Sequence, residues 1–312
     1  MNQLFESIGT RDNESWYTWS HSFRKKLVLI ADELSTVNTQ LIDIFPNESY
    51  GTSYINSKDY DLSERLKNVI NYMTSSLIKV TPSNGIILFK NLLFDNFSGK
   101  SLHVLFSLLS EDMRNKNNIS ALHSPIVEKK SDTGFPVHAD LFRTKSLFNV
   151  ITETEMNKNG NILLLSIHEL EEAMNAVSYL PCEVKEVILS TLKGRAEIDS
   201  FDFIYTLMYG NNPWKDDLID EIEKRQVCIS SENGIGYLVI DGIWLHGRDK
   251  YLGEIKENRL NRLLFDTENT KNINKVPNMD NDCLVNLNIS SRCRIKNKSI
   301  NLKSLKSLRK IG

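Results

Sequence analysis

The chain has 312 residues, of which 40% are hydrophobic and 25% charged, with a formal net charge of −2. That length buries a substantial core in one or two domains, and the near-neutral charge gives no global attraction to nucleic acid or an anionic membrane. No run approaches the roughly 18 apolar residues of a spanning helix and the N-terminus lacks a signal-peptide pattern, so cytosol is the expected compartment.

From Trp16 to about Ile44 the apolar positions Phe23, Leu27, Ile30, Leu34, Val37 and Leu41 step by three and four, which predicts a helix with Arg24, Lys25 and Lys26 on its solvent side. Pro46 to Asp59 reads as a loop, Leu62 to Leu77 as a second helix, Gly85 to Phe89 as the first clear strand, and Ser101 to Leu109 as helix again. Strands are expected at His138, at Leu147 to Thr152, at Ile162 to Leu165 and at Tyr237 to Ile240. Between the last two, Ile167 to Val177 and Glu183 to Leu192 have helical spacing and many acidic residues. Asp266 to Asp282 reads as a surface loop or linker. The tail from Asn301 to Gly312 spaces Leu302, Leu305, Leu308 and Ile311 three apart among basic residues. An apolar stripe docked on its own domain is preferred there over a membrane or nucleic-acid contact.

Cys182, Cys228, Cys283 and Cys293 have no C-x-x-C spacing, which argues against a zinc ribbon. They read as free thiols, with Cys182 and Cys228 in or near the core.

One arrangement carries chemistry. His138-Ala139-Asp140 places an imidazole and a carboxylate at i and i+2, which point to the same side of an extended chain. A later histidine, His246 in Trp244-Leu245-His246-Gly247-Arg248, supplies a third donor if a distant strand brings it there. Two imidazoles and a carboxylate occupy one face of an octahedral iron and leave the other open. Downstream, Arg259 and Arg262 lie in a short strand-like run, and a planar guanidinium there suits a dicarboxylate through paired hydrogen bonds. Each residue also has a bland reading: His138 as a satisfied core histidine, Asp140 as a turn carboxylate, the arginines in surface ion pairs. The combination, in this order, favours the metal.

These stretches, with Asn159-Gly160-Asn161 and Asp241-Gly242-Ile243 beside them, resemble the iron(II)- and 2-oxoglutarate-dependent dioxygenases of the taurine dioxygenase and clavaminate synthase type. The likeness runs from about Gly85 to Asp266, and the His-Gly-Arg form is most similar to the branch that hydroxylates amino acids. It implies a mainly β fold with helical additions around a distorted double-stranded β-helix, a jelly-roll, cupin-like core. Residues 1–84 would form a helical region packed on that core, 85–266 the catalytic domain with a helical insertion or lid at about 167–225, and 267–312 a loop and basic amphipathic segment.

The resemblance also implies Fe(II) held by His138, Asp140 and His246, with 2-oxoglutarate and O2 as co-substrates and succinate and CO2 as products. The organic substrate would be a small molecule, a free or carrier-bound L-amino acid. A basic side chain is one option, for which Asp199 and Asp202 in the insertion are candidates. Asp140 favours hydroxylation over halogenation, since a small residue there would open a halide position. Desaturation or ring closure would use the same residues.

Two departures stand out. Ile162 occupies the position where the family supplies a threonine hydroxyl to the co-substrate carboxylate, leaving Ser166 or Thr152 as substitutes. Arg259 and Arg262 are three apart rather than four, so without a bulge they point to opposite faces. Distance from His246 favours Arg259 for 2-oxoglutarate, with Arg262 as substrate clamp or as the true co-substrate ligand. Both departures also motivate an alternative: a non-catalytic jelly roll that binds a ligand or partner and has lost the co-substrate.

Overall fold

The computed structural model describes residues 4–11, 14–37, 40–43, 51–54, 60–80, 83–117, 119–128, 134–140, 146–152, 160–193, 201–250 and 256–266. The strands are β1 Phe5–Arg11, β2 Glu14–Trp19, β3 Gln40–Asp43, β4 Gly51–Tyr54, β5 Ile86–Phe89, β6 Ala121–Glu128, β7 Phe135–His138, β8 Ser146–Ile151, β9 Ile162–Ser166, β10 Val227–Ile229, β11 Gly236–Ile240, β12 Trp244–Arg248 and β13 Lys256–Phe265. The helices are α1 His21–Val28, α2 Ala31–Thr36, α3 Glu64–Leu77, α4 Gly99–Asn117, α5 Ile167–Ala176, α6 Cys182–Leu192, α7 Phe201–Tyr209 and α8 Lys215–Glu223.

Two sheets form the core. A seven-stranded sheet runs β1-β2-β5-β11-β8-β13-β6 and a four-stranded sheet runs β10-β9-β12-β7. From β6 onward the chain alternates between them: β6 in the large sheet, β7 in the small, β8 large, β9 and β10 small, β11 large, β12 small, β13 large. That winding is a double-stranded β-helix, and all ladders within it are antiparallel.

Period-two alternation distributes each strand between two cores. In β8, Leu147 and Ile151 enter the apolar layer between the sheets, joined by Ile162 and Leu164 of β9 and Val239 of β11. Phe148 and Val150, one residue out of phase, face the other way and pack with the helices of the N-terminal half, including Phe23, Leu66 and Phe106. On the far side of the small sheet, Leu165, Leu245 and Val137 pack with α5 to α8 through residues such as Leu170, Ile188, Met208 and Leu218. The barrel interior is thus sealed on both outer faces.

The N-terminal reading needs correction. Trp16 to Trp19 belong to a strand, and the stripe Phe23, Leu27, Ile30, Leu34, Val37 is buried across two short helices broken near Leu29 and Ile30, while Leu41 lies in β3. Part of the supposed loop, Gly51–Tyr54, pairs with β3. Cys182 and Cys228 are exposed. The tail from 267, with its basic amphipathic pattern, lies outside the described residues. No helix among the described residues is long and apolar enough to cross a membrane.

Candidate metal centre

His138 and His246 meet as direct register partners on β7 and β12, the neighbouring strands at one edge of the small sheet. The strand β7 ends at His138, but Ala139 packs outward into the helical layer, and Asp140 returns to the side of His138. One ligand atom from each of His138, Asp140 and His246 lies within 4.8 Å of the other two. The pairing needs glycine beside the second histidine. A Cβ on Gly247 would stand 2.7 Å from the Phe135 carbonyl oxygen and 2.8 Å from the Val137 nitrogen, so any other residue would force β12 away from β7.

His138 and Asp140 are oriented by partners, while the Nδ1 atom of His246 is buried without a hydrogen bond. His138 Nδ1 lies 2.9 Å from the Pro136 carbonyl, which fixes the tautomer with the proton on Nδ1 and the Nε2 lone pair inward, 3.5 Å from Asp140. His246 Nε2 is 3.4 Å from the other Asp140 oxygen. The Asp140 backbone N–H donates to Asp241 Oδ1 at 3.2 Å, tying the end of β7 to the turn after β11. Burial alone would raise the Asp140 carboxyl, but the Arg262 guanidinium, with His246 and His138, outweighs it and holds the group well below the carboxylate range. Burial pushes the His246 imidazole down to about 4 against the pull of Asp140, leaving it neutral. Two inward imidazole nitrogens and an ionised carboxylate fit a divalent first-row metal.

Arg262 comes from the opposite sheet. It is 7% exposed, on the inner face of β13, where Nε donates to Asn149 Oδ1 at 3.1 Å, Nη1 to Asp140, and Nη2 lies 3.3 Å from His246 Nε2. A register shift between Lys256 and Leu260 sets the phase of this strand. Arg259 lies in the shifted part, and its side chain is outside the described residues. Ser166 is committed elsewhere, its hydroxyl accepting the Glu169 N–H as the cap of α5. Thr152 Oγ1 accepts from Asn261 Nδ2, whose own Oδ1 lies 2.9 Å from His103 and 3.0 Å from His123 in a buried network behind β13. Ile162 is buried in the apolar layer between the sheets.

The helical insertion borders the centre. Tyr209 of α7 donates from its hydroxyl to the Val137 carbonyl at 2.6 Å, and Tyr205 stacks on Phe135 with ring centroids 5.8 Å apart, while the Phe135 and His138 rings meet at 72° with centroids 4.3 Å apart. Asp199 and the side chain of Asp202 lie outside the described residues. Sequence reasoning missed Asn149, Tyr237 and Asp241. Asn149 had a legible signal, as the lone polar residue inside the apolar run Leu147-Phe148-Asn149-Val150-Ile151.

No protein-family model and no curated protein matches this sequence. Among solved structures the chain is similar to an asparagine oxygenase in complex with Fe(II), 2S,3S-3-hydroxyasparagine and succinate, at 11% identity over 80% of this chain and 92% of that one, with a TM-score of 0.43. It is similar to the non-heme iron oxygenase OrfP in complex with Fe at 12% identity, covering 81% and 94% of the two chains, TM-score 0.43. The Kdo hydroxylase KdoO in complex with cobalt(II) is similar at 14% identity, 72% and 91% coverage and a TM-score of 0.32. At such values the chemistry has to be read from the side chains.

Proposed function

We propose that the chain is an iron(II)- and 2-oxoglutarate-dependent oxygenase that hydroxylates an unactivated C–H bond of a small molecule, with succinate and CO2 as products. The carrying observation is the group His138, Asp140 and His246 within 4.8 Å of one another, with the buried Arg262 of the facing sheet directly against it. Iron held by those three residues supplies the redox chemistry that couples O2 to oxidative decarboxylation of 2-oxoglutarate and to attack on the C–H bond.

The chain's own contribution is orientation, charge and exclusion of water. Pro136 and Asp241 hold His138 and Asp140 in position. Arg262, buried with its guanidinium against Asp140 and His246, would give its remaining N–H groups to the far carboxylate of the co-substrate. The apolar side chains of Leu147, Leu164, Val239 and Leu264 line the space between the sheets and keep it dry. The substrate class, a free or carrier-bound L-amino acid, is supported by the resemblance carried by His246-Gly247-Arg248. The insertion helix α7, anchored beside His138, stacks its Tyr205 on Phe135 of β7, and the two rings form the wall against which that substrate would lie.

Anaerobic addition of Fe(II) and then 2-oxoglutarate tests the reading, because the bound chelate gives a visible charge-transfer band. A screen of L-amino acids for substrate-dependent succinate formation then identifies the substrate. Absence of the band at saturation would favour the non-catalytic binding protein.

A further inference from the structure

Among the described residues, the inner face of the large sheet carries one polar cross-strand row. Tyr237 on β11, Asn149 on β8, Arg262 on β13 and Ser124 on β6 are successive register partners, and all four are buried. The inward row on one side is Val239, Leu147, Leu264 and Leu122, and on the other Ile151 pairs with Leu260. Polar groups in such a layer are costly unless each finds a partner.

Asn149 is the member whose partner is missing. Arginine only donates, so the Asn149 atom facing Arg262 Nε must be the carbonyl oxygen, which assigns the amide orientation. The amide nitrogen is therefore the atom turned away, and Asn149 Nδ2 is buried without a hydrogen-bond partner. That amide faces the Tyr237 hydroxyl, and its proximity favours the charged form of the phenol, but no hydrogen bond closes between Nδ2 and the hydroxyl. On the small sheet opposite, Ile162 offers no donor and Ser166 caps α5, and Thr152 at the end of β8 is bonded to Asn261. A guanidinium, an unbonded amide N–H and a phenol form a cradle of donors beside the Asp140 carboxylate, and the complement of such a cradle is a strong acceptor such as a second carboxylate.

We infer that Asn149 donates from Nδ2 to the distal carboxylate of the 2-oxo acid co-substrate, while its Oδ1 holds the Arg262 fork in place. The inference rests on the reading of this centre as a 2-oxoglutarate site. Tyr237 completes the cradle on the far side of Asn149.

The experiment titrates Fe(II)-loaded protein, without O2, with 2-oxoglutarate and with 2-oxobutyrate, which has the same keto-acid end and no distal carboxylate. The readout is the ratio of the two dissociation constants, from the visible band, which cancels any common loss of folding or iron. Asn149→Leu, similar in size but lacking the amide, is expected to lower the preference for 2-oxoglutarate about ten- to a hundredfold, the loss of one hydrogen bond to a charged group, with 2-oxobutyrate affinity unchanged. Asn149→Asp keeps an oxygen for Arg262 and replaces the donor by an acceptor that repels the carboxylate. It should lose at least as much, and it supplies the test should Asn149→Leu fail to fold. A parental ratio in either folded variant overturns the assignment of Asn149. A parent that binds both acids equally, or neither, overturns the co-substrate reading itself and this inference with it.

Discussion

His138 and His246 face each other across the β7–β12 ladder, with ring centroids 4.6 Å apart and 51° between the ring planes. Both rings are buried, and both Nε2 atoms point at the same carboxylate. His138→Ala or His246→Ala should therefore abolish stoichiometric Fe(II) binding while the far-ultraviolet circular dichroism spectrum stays unchanged, since each removes one of three donors. Full iron occupancy and turnover in either variant would show that the centre is elsewhere.

Asp140 is both donor and counter-ion. Its removal takes away the carboxylate that pairs with Arg262, which is 7% exposed in the interior. Asp140→Gly should suppress hydroxylation and lower stability by about 3–5 kcal/mol, the usual consequence of breaking one side of a buried ion pair. Urea unfolding and product analysis check the two parts separately, and hydroxylation at the parental rate would exclude Asp140 as a donor.

Arg262→Gln should raise the 2-oxoglutarate requirement by at least about tenfold, because a charged bidentate contact becomes a neutral one. Arg259→Gln is the control on the same strand. If 2-oxoglutarate affinity falls only in Arg259→Gln, the two roles exchange, and if neither changes, 2-oxoglutarate loses its support as co-substrate.

Behind β13, the Asn261 carbonyl oxygen lies between His103 and His123, whose rings stand 4.7 Å apart. Burial holds both imidazoles below their ordinary value of 6.5, His123 well below and further lowered by His103. Below about pH 6.5 the unfolded chain binds more protons than the folded one, so this contribution is fully present above that pH and declines as pH falls. His123→Gln should lower the urea midpoint at pH 7.5 yet reduce the further drop between pH 7.5 and pH 5.5. An unchanged acid slope would assign it to other groups.

Tyr209 anchors α7 through its hydroxyl on the Val137 carbonyl, one residue before the first histidine. Tyr209→Phe should cost about 1 kcal/mol in stability and raise hydrogen exchange in residues 201–209 above the parental rate. Parental protection in that helix would show that the bond is not what holds it.

The sequence by itself determined what depends on near neighbours along the chain. Period two put His138 and Asp140 on one side, the helical stripe Phe23 to Val37 marked a buried face, and the helical spacing of Ile167 to Val177 and Glu183 to Leu192 corresponds to α5 and α6. Even the His-Gly-Arg stretch was legible as a unit. The reason for its glycine was not, because the Phe135 carbonyl that excludes a side chain lies far away in the sequence.

Tertiary structure decided whatever depends on register and partner. Which side Arg262 faces follows from its register with Asn149 of β8 and Ser124 of β6, and the shift between Lys256 and Leu260 means that a count of three between two arginines does not give their relative sides. The strand at Trp16 is the second arm of a hairpin with β1 and is flanked on its other edge by the distant β5, and these pairings overrode a helical period that began in the same residues. Tyr237, Asn149 and Arg262 form one row only because β11, β8 and β13 are aligned at those positions, and a one-residue slip in any of them would turn its polar side chain out of the barrel.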